Sequence, residues 1–268
     1  MYIETKAALK GAVLDPRLTW SIARSGIRLR AGTRTKNVRT LIGTHHKVLT
    51  AYMARVFRAY SVIAGRSFCR ATYPNVDYEK EVIMDYHSRF ELDRISGDYR
   101  GVHIRRDPRD VLVSCVLYHL KSTESWLHEE GNWGFVGSTY QKEIRALTSM
   151  EDRLIFELDH EGGRIVDGIL SWDYARPEFV ELKYESVVAD AGMEYIYESF
   201  SDSGLFNSTE CALFVDLFRL FSAREGVLAH KKHIRNPRPS QWKEHFSSNV
   251  ERRLLERYGD RMEELGYS

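Results

Sequence analysis

A short apolar run, Val38 to Ile42, ends in Gly43-Thr44, and apolar residues at helical spacing follow almost at once. They are Val48, Leu49, Tyr52, Met53, Val56, Phe57 and Tyr60, and they stop at Gly65. Five residues are too few for a helix and suit a buried strand, so this is a strand feeding a helix through a tight loop. The pattern recurs. Ser67 to Thr72, Glu81 to Tyr86 and Tyr99 to Ile104 read as strands. The last runs into Arg105-Arg106-Asp107-Pro108, and Arg109 to Leu120 turns helical, with Pro108 suited to the first turn. Ser138 to Trp172 is mostly helical with an interruption near Gly162-Gly163, Phe179 to Lys183 is a strand, and helices cover Glu210 to Ser222 and Val250 to Leu265.

Strands that alternate with helices need crossover connections, which build a parallel sheet covered on both faces. The expected class is α/β, a single domain with a central parallel β-sheet flanked by helices over residues 38–268, after a basic leader at 1–37. No internal repeat is visible. Arg224 to Gln241, rich in His, Arg and Pro, reads as a long functional loop.

Composition narrows the function. Of 268 residues, 43% are hydrophobic and 29% charged, enough apolar material for a sizeable core. The net charge of +1 points to neither nucleic acid nor acidic lipid as a bulk partner, so an anion site must come from local placement of Arg and Lys. Cys69, Cys115 and Cys211 are too few and too far apart for a disulfide framework or a metal pair, which fits a reducing compartment. No run approaches the roughly 20 apolar residues that span a bilayer, and the first residues are too polar for a signal peptide, so a cytoplasmic protein is expected. One stretch is biased: Arg17, Arg24, Arg28, Arg30, Arg34, Lys36 and Arg39 follow Asp15 with no further acid. It offers peripheral contact with an anionic membrane surface or an acidic acceptor; the alternative is a solvated basic extension leading into the first strand.

Two segments carry anion chemistry. Gly43-Thr44-His45-His46-Lys47-Val48-Leu49-Thr50 joins the first strand to its helix. Exposed backbone N–H groups of His46, Lys47, Val48, Leu49 and Thr50, the positive end of the helix dipole, the Lys47 charge and the Thr50 hydroxyl suit a phosphate or sulfate. The G-x-x-x-x-G-K-[ST] loop of nucleoside triphosphatases is absent. In the second segment, Val102 to Ser114, a strand delivers Arg106 to the carboxyl edge of the sheet and Ser114 lies about two turns into the next helix. An arginine and a hydroxyl converging on one anion is what a phosphate needs. The alternative in both cases is a polar capping turn.

The stretch Arg106-Asp107-Pro108-Arg109-Asp110-Val111-Leu112-Val113-Ser114 resembles R-x-P-x-D-V-x-x-S, the 3′-phosphate motif of sulfotransferases that use 3′-phosphoadenosine 5′-phosphosulfate (PAPS). Other segments match that family in order. Lys47 stands where its 5′-phosphosulfate loop carries a lysine, and Phe179 to Glu185 resembles its later strand ending in Tyr-Glu, which places Tyr184 near the adenine. Arg235 to Phe246 resembles its C-terminal R-K-G-x-x-G-x-W-x-x-x-F loop, keeping Arg235 and Trp242, with Arg238 replacing a lost charge. Tyr258 to Tyr267 looks like its last helix. The resemblance covers residue 38 to the end. It departs where Val48, Leu49 and Ala51 replace small or hydroxyl residues, and where Asn236, Pro237 and Ser240 replace Lys and two glycines.

The resemblance implies a P-loop-like sulfotransferase fold, PAPS as co-substrate, PAP (the desulfated nucleotide) as product, and no metal. It implies that Lys47 stabilises the leaving phosphate oxygen and that a histidine between the phosphate motifs is the base. His87 sits there, at a strand end, with Asp85 as the rival carboxylate base; the plainer reading of His87 is a surface or capping histidine. His45 and His46 are expected to shape the loop. His119, Trp126 and Trp133, with His128, Phe135 and Tyr140, form either an acceptor wall or ordinary packing around a mobile loop at 131–137. The acceptor is a hydroxyl-bearing small molecule, glycan or lipid. Two rival functions remain, a nucleotide or small-molecule kinase and a non-catalytic PAP- or nucleotide-binding protein.

Overall fold

The computed structural model describes residues 16–31, 38–222 and 237–267. Among them are helices α1 (Pro16–Ala31), α2 (Thr50–Ala64), α3 (Pro108–His119), α4 (Tyr140–Ala146), α5 (Met150–Asp159), α6 (Glu161–Leu170), α7 (Tyr184–Ala189), α8 (Glu194–Asp202), α9 (Ser208–Phe221) and α10 (Ser248–Glu264). Strands are β1 (Arg39–Gly43), β2 (Phe68–Ala71), β3 (Val82–Asp85), β4 (Tyr99–Arg105) and β5 (Phe179–Lys183). All five pair in parallel, in the order β2-β3-β1-β4-β5. The α/β class and the parallel sheet are those expected from the alternation.

The described residues group into two compact units, one made of those within 1–105 and 173–237 and the other of those within 106–172 and 238–268. The first holds the whole sheet. Leu41, Ile42, Val82, Ile83, Met84, Val102 and Ile104 are all but inaccessible, as a parallel sheet with both faces covered requires. Helix α2 sets Met53, Val56, Phe57 and Tyr60 into this core and α9 adds Phe214, Leu217 and Phe218. Phe57 and Phe214 rings lie 5.3 Å apart and Phe200 stacks on Phe214 at 4.5 Å. Each such ring contributes about 1.5–3 kcal/mol on burial.

Charge is also buried here. Arg100 on β4 holds Glu210 on α9 through both carboxylate oxygens, Nη1 to Oε2 at 2.9 Å, and Tyr60 donates to Glu210 Oε1 at 2.6 Å. The Glu210 side chain also closes a capping box with Asn207 at the start of α9.

Residues 16–31, read as part of a basic leader, are a helix packed against α2 and α9 within the first unit. Ile22, Ser25 and Gly26 face inward, and Ser21 donates to Asp216 on α9 at 2.5 Å.

In the second unit, α5 and α6 meet where the sequence breaks at Gly162-Gly163, and a Cβ on Gly163 would fall 2.1 Å from the Leu158 carbonyl. Helix α10 is tied to the pair by Tyr258, whose hydroxyl donates to Asp167 at 2.8 Å.

Candidate functional site

β1 is the central strand, and the sheet order reverses there: the chain runs from β1 to β2 on one side and later to β4 on the other. Loops at the carboxyl end of such a strand are where open parallel sheets take ligands. The loop after β1 is a tight one. Val48 N–H donates to His45 O at 3.0 Å and the Thr50 hydroxyl donates to the same oxygen at 2.7 Å. Lys47 and Leu49 take the left-handed conformation, φ 65° and 52°. Leu49 caps α2 without any side-chain bond, and no acid stands in the first turn. The helix dipole is therefore left uncompensated, with Lys47 beside it. Among the expected loop residues, His46, Lys47, Leu49 and Thr50 are partly exposed. Val48 is fully buried, so its side chain belongs to the core.

Beneath the loop, strand register assembles one row across the sheet. Ala71 pairs with Asp85, Asp85 with Gly43, Gly43 with His103 and His103 with Glu181. Gly43 is required by its neighbours: a Cβ there would meet Ser88 Oγ at 2.8 Å and His103 Cδ2 at 3.0 Å. His103 Nδ1 lies 2.8 Å from Glu181 Oε2, and His103 Nε2 lies 2.9 Å from His45 Nε2. With His103 donating to the Glu181 carboxylate, its Nε2 accepts, so His45 is the donor at Nε2. Burial, then the fields of His103, His87 and Arg89, hold the His45 pKa well below the ordinary histidine value. His45 is thus a neutral, enclosed ring that ties the loop to β4 and β5. Sequence reading gave His45 only a shaping role and missed His103 and Glu181. The available signal was a histidine in the middle of one strand and a glutamate in the middle of the other.

The other side of the row is the turn after β3. Asp85 is wholly buried, and its carboxylate accepts three backbone N–H groups: His87 at 2.7 Å, Arg89 at 3.1 Å and Tyr73 at 2.9 Å. Such a carboxylate builds the turn. Ser88, at φ 57°, donates to Thr44 O at 3.1 Å and so joins the turn to the β1 loop. His87 projects from this turn and is partly exposed. The geometry separates the two candidate bases: Asp85 is occupied by main chain, while His87 is held in place by it.

In the second unit, Asp107 caps α3 by accepting Arg109 N–H at 2.9 Å and pairs with the Arg109 guanidinium, Nη2 to Oδ2 at 2.9 Å. The Trp242 ring covers that guanidinium at 3.9 Å. Asp110 accepts the backbone N–H groups of Ser240 at 2.8 Å and Trp242 at 3.0 Å, and Arg106 approaches it at 3.8 Å. Burial first, partly offset by Arg106, raises the Asp110 pKa. Arg106 is 5% exposed, and Ser114 is half-buried on α3. The motif's aspartate thus grips the C-terminal loop. Trp242 stacks on Arg109, and Arg238 forms an exposed pair with Glu244. Arg235 lies outside the described residues, as does most of the loop expected from Arg224 to Gln241. In the first unit, Tyr184 is buried and its hydroxyl donates to Pro237 O at 3.0 Å.

The aromatic segment is mostly a packed cluster. His119 is inaccessible, with Nδ1 2.6 Å from Glu157 Oε1, and Tyr140 donates to the same carboxylate at 3.0 Å. His119 therefore packs and does not line a cleft. Trp126 meets Tyr140 at 5.1 Å and Trp133 meets His160 at 5.6 Å, both partly exposed at the cluster's rim. Among the described residues no group of three or more His, Cys, Asp or Glu could hold a metal ion, and no helix is long and apolar enough to cross a membrane.

No model of a protein family matches the chain, and no curated protein matches it. Among solved structures, the mouse sulfotransferase SULT7A1 complexed with PAP is similar over 89% of this chain and 88% of that chain, at 14% identity and a TM-score of 0.47.

Proposed function

We propose that the chain is a sulfotransferase that moves the sulfuryl group of PAPS to an acceptor hydroxyl on a small molecule, glycan or lipid. The observation that carries this reading is the uncapped start of α2, with Lys47 and Leu49 in the left-handed region at the end of the central strand. Support comes from R-x-P-x-D-V-x-x-S, which starts at the residue after β4, the strand paired with β1.

In this reading the α2 N-terminus, Lys47 and Thr50 hold the 5′-phosphosulfate, and Arg106 and Ser114 take the 3′-phosphate. The acceptor oxygen attacks sulfur in line. A new S–O bond forms as the S–O bond to the 5′-phosphate breaks, and the phosphate leaves with the electron pair. Lys47 neutralises charge growing on that oxygen, and His87 takes the acceptor's proton. The enzyme's contribution is position and charge, as in phosphoryl transfer.

Titration calorimetry with PAP in metal-free buffer tests the reading, with ATP and Mg²⁺ run in parallel. PAP binding without metal, together with turnover of labelled PAPS against a panel of hydroxyl compounds, supports it. Tight ATP–Mg²⁺ binding without PAP binding turns the assignment to a kinase. PAP binding with no transfer to any acceptor turns it to a nucleotide-binding protein.

A further inference from the structure

Helix α1 presents an exposed face. Trp20, Ala23, Ile27 and Ala31 recur at steps of three and four residues and are all exposed, Trp20 at 69% and Ile27 at 66%. Arg17, Arg24 and Arg28 run along one side of this stripe, also exposed, and the helix contains no acid. Arg30 is spent otherwise: its guanidinium donates to the Val62 and Ile63 carbonyls at 2.7 and 2.8 Å, closing the end of α2. Gly26 permits the close approach, since a Cβ there would stand 2.9 Å from Ile63 Cγ2. An apolar groove of 330 Å³ lies between the helices and shares Ala23 and Ile27 with the exposed stripe.

From this arrangement we infer that α1 docks the protein on the surface of an anionic phospholipid bilayer. The helix lies in the interface. Trp20 and Ile27 enter the boundary between headgroups and acyl chains, the groove accepts acyl methylenes, and Arg17, Arg24 and Arg28 meet lipid phosphates. Charge complementarity selects the lipid: a row of arginines with no acid among them needs an anionic sheet. An indole and an isoleucine centred on the same face need an apolar phase beneath it. A nucleic-acid backbone supplies only the first of these. The inference stands apart from the nucleotide reading, because none of these residues is placed at the β1–α2 loop.

The test is co-sedimentation of the full chain with vesicles of phosphatidylcholine alone and of phosphatidylcholine with phosphatidylserine. Binding to the anionic vesicles that weakens with salt is expected, with little on the neutral ones. Each arginine is worth about fivefold at such a surface, so Arg24→Glu with Arg28→Glu lowers binding more than tenfold. Trp20→Ala lowers it while leaving the salt dependence intact, and Arg252→Glu on α10 leaves it unchanged. Circular dichroism melts confirm that each variant folds. Equal binding to both vesicles, no binding to either, or an unaffected double variant overturns the inference. So does a stable dimer in solution that Ile27→Glu dissociates, which assigns the face to a second copy of the chain.

Discussion

His45 and His103 meet Nε2 to Nε2 at 2.9 Å, enclosed beneath the β1–α2 loop. A proton added to His45 would place a charge in this enclosed site beside His103. The folded pKa of His45 is lowered, chiefly by burial and then by His103, while in the unfolded chain it titrates near its usual value of about 6.5. Below that pH the unfolded state binds more protons than the folded one. Stability is then full above about pH 6.5 and falls as the pH drops, by up to about 1.4 kcal/mol per pH unit for one proton. Thermal melts across that range should show the decline in the parent and a flatter profile in His45→Gln. A parent profile that stays flat through this window removes the linkage.

Asp85 and His87 predict different failures. Asp85→Asn replaces an acceptor of three N–H groups with an amide that presents one oxygen, so the turn loses stability by about 1–3 kcal/mol and turnover falls with it. His87→Ala should melt like the parent, bind PAP like the parent, and turn over roughly a hundredfold or more slowly, as lost general-base catalysis does. The acid limb of the pH–rate profile should shift in His87→Gln. Were Asp85→Asn as stable as the parent and inactive while His87→Ala still worked, the carboxylate would be the base.

Lys47→Ala should lose turnover far more than PAP affinity. The charge matters most when the leaving oxygen becomes anionic, so its effect belongs to the transition state. Measuring the PAP dissociation constant beside kcat decides this; equal losses in both reduce Lys47 to a ground-state anchor.

Arg106→Ala should weaken PAP binding by about tenfold to a hundredfold or more, about 1.5–3 kcal/mol for a charge-assisted contact. The same substitution removes the cation nearest Asp110, which already carries a raised pKa. Calorimetry at constant pH reads the affinity. PAP binding as tight as the parent's would sink the match of this segment to the 3′-phosphate motif.

Arg100 and Glu210 should be costly to separate. Arg100→Met leaves Glu210 buried without its cation and should destabilise the protein by about 3–5 kcal/mol, read by urea unfolding. Adding Glu210→Leu should recover part of that loss, because two apolar groups no longer strand a charge. A double variant as unstable as the single one would show that the Asn207 capping box, lost with Glu210, matters more.

Much of this was legible along the chain. Val38 to Ile42, Tyr99 to Ile104 and Phe179 to Lys183 announce strands within a residue of the observed bounds because each is a short segment with apolar residues at its core, too short for a helix. Helix α1 was not legible: seven basic residues between 17 and 39 hide an inward face that consists only of Ile22, Ser25 and Gly26. The short helices α7 and α8 escaped because residues 184–202 show no long apolar period. At the candidate site, Lys47 was singled out by its place in the strand-to-helix loop and His87 by the resemblance, which calls for a histidine between the phosphate motifs. The row Asp85–Gly43–His103–Glu181 did not, since it exists only through the register of four strands far apart in sequence.

Asp110 holds the C-terminal loop by its amides, those of residues 240 and 242, and not by its side chains. Every amino acid but proline supplies an amide, so side-chain identity at these two positions is interchangeable as far as this anchor is concerned. Position and composition of the loop are thereby uncoupled. The chain can carry Ser240 at φ 60°, where glycine is the unstrained choice, and still keep the loop on α3. The loop's address is written in Asp110.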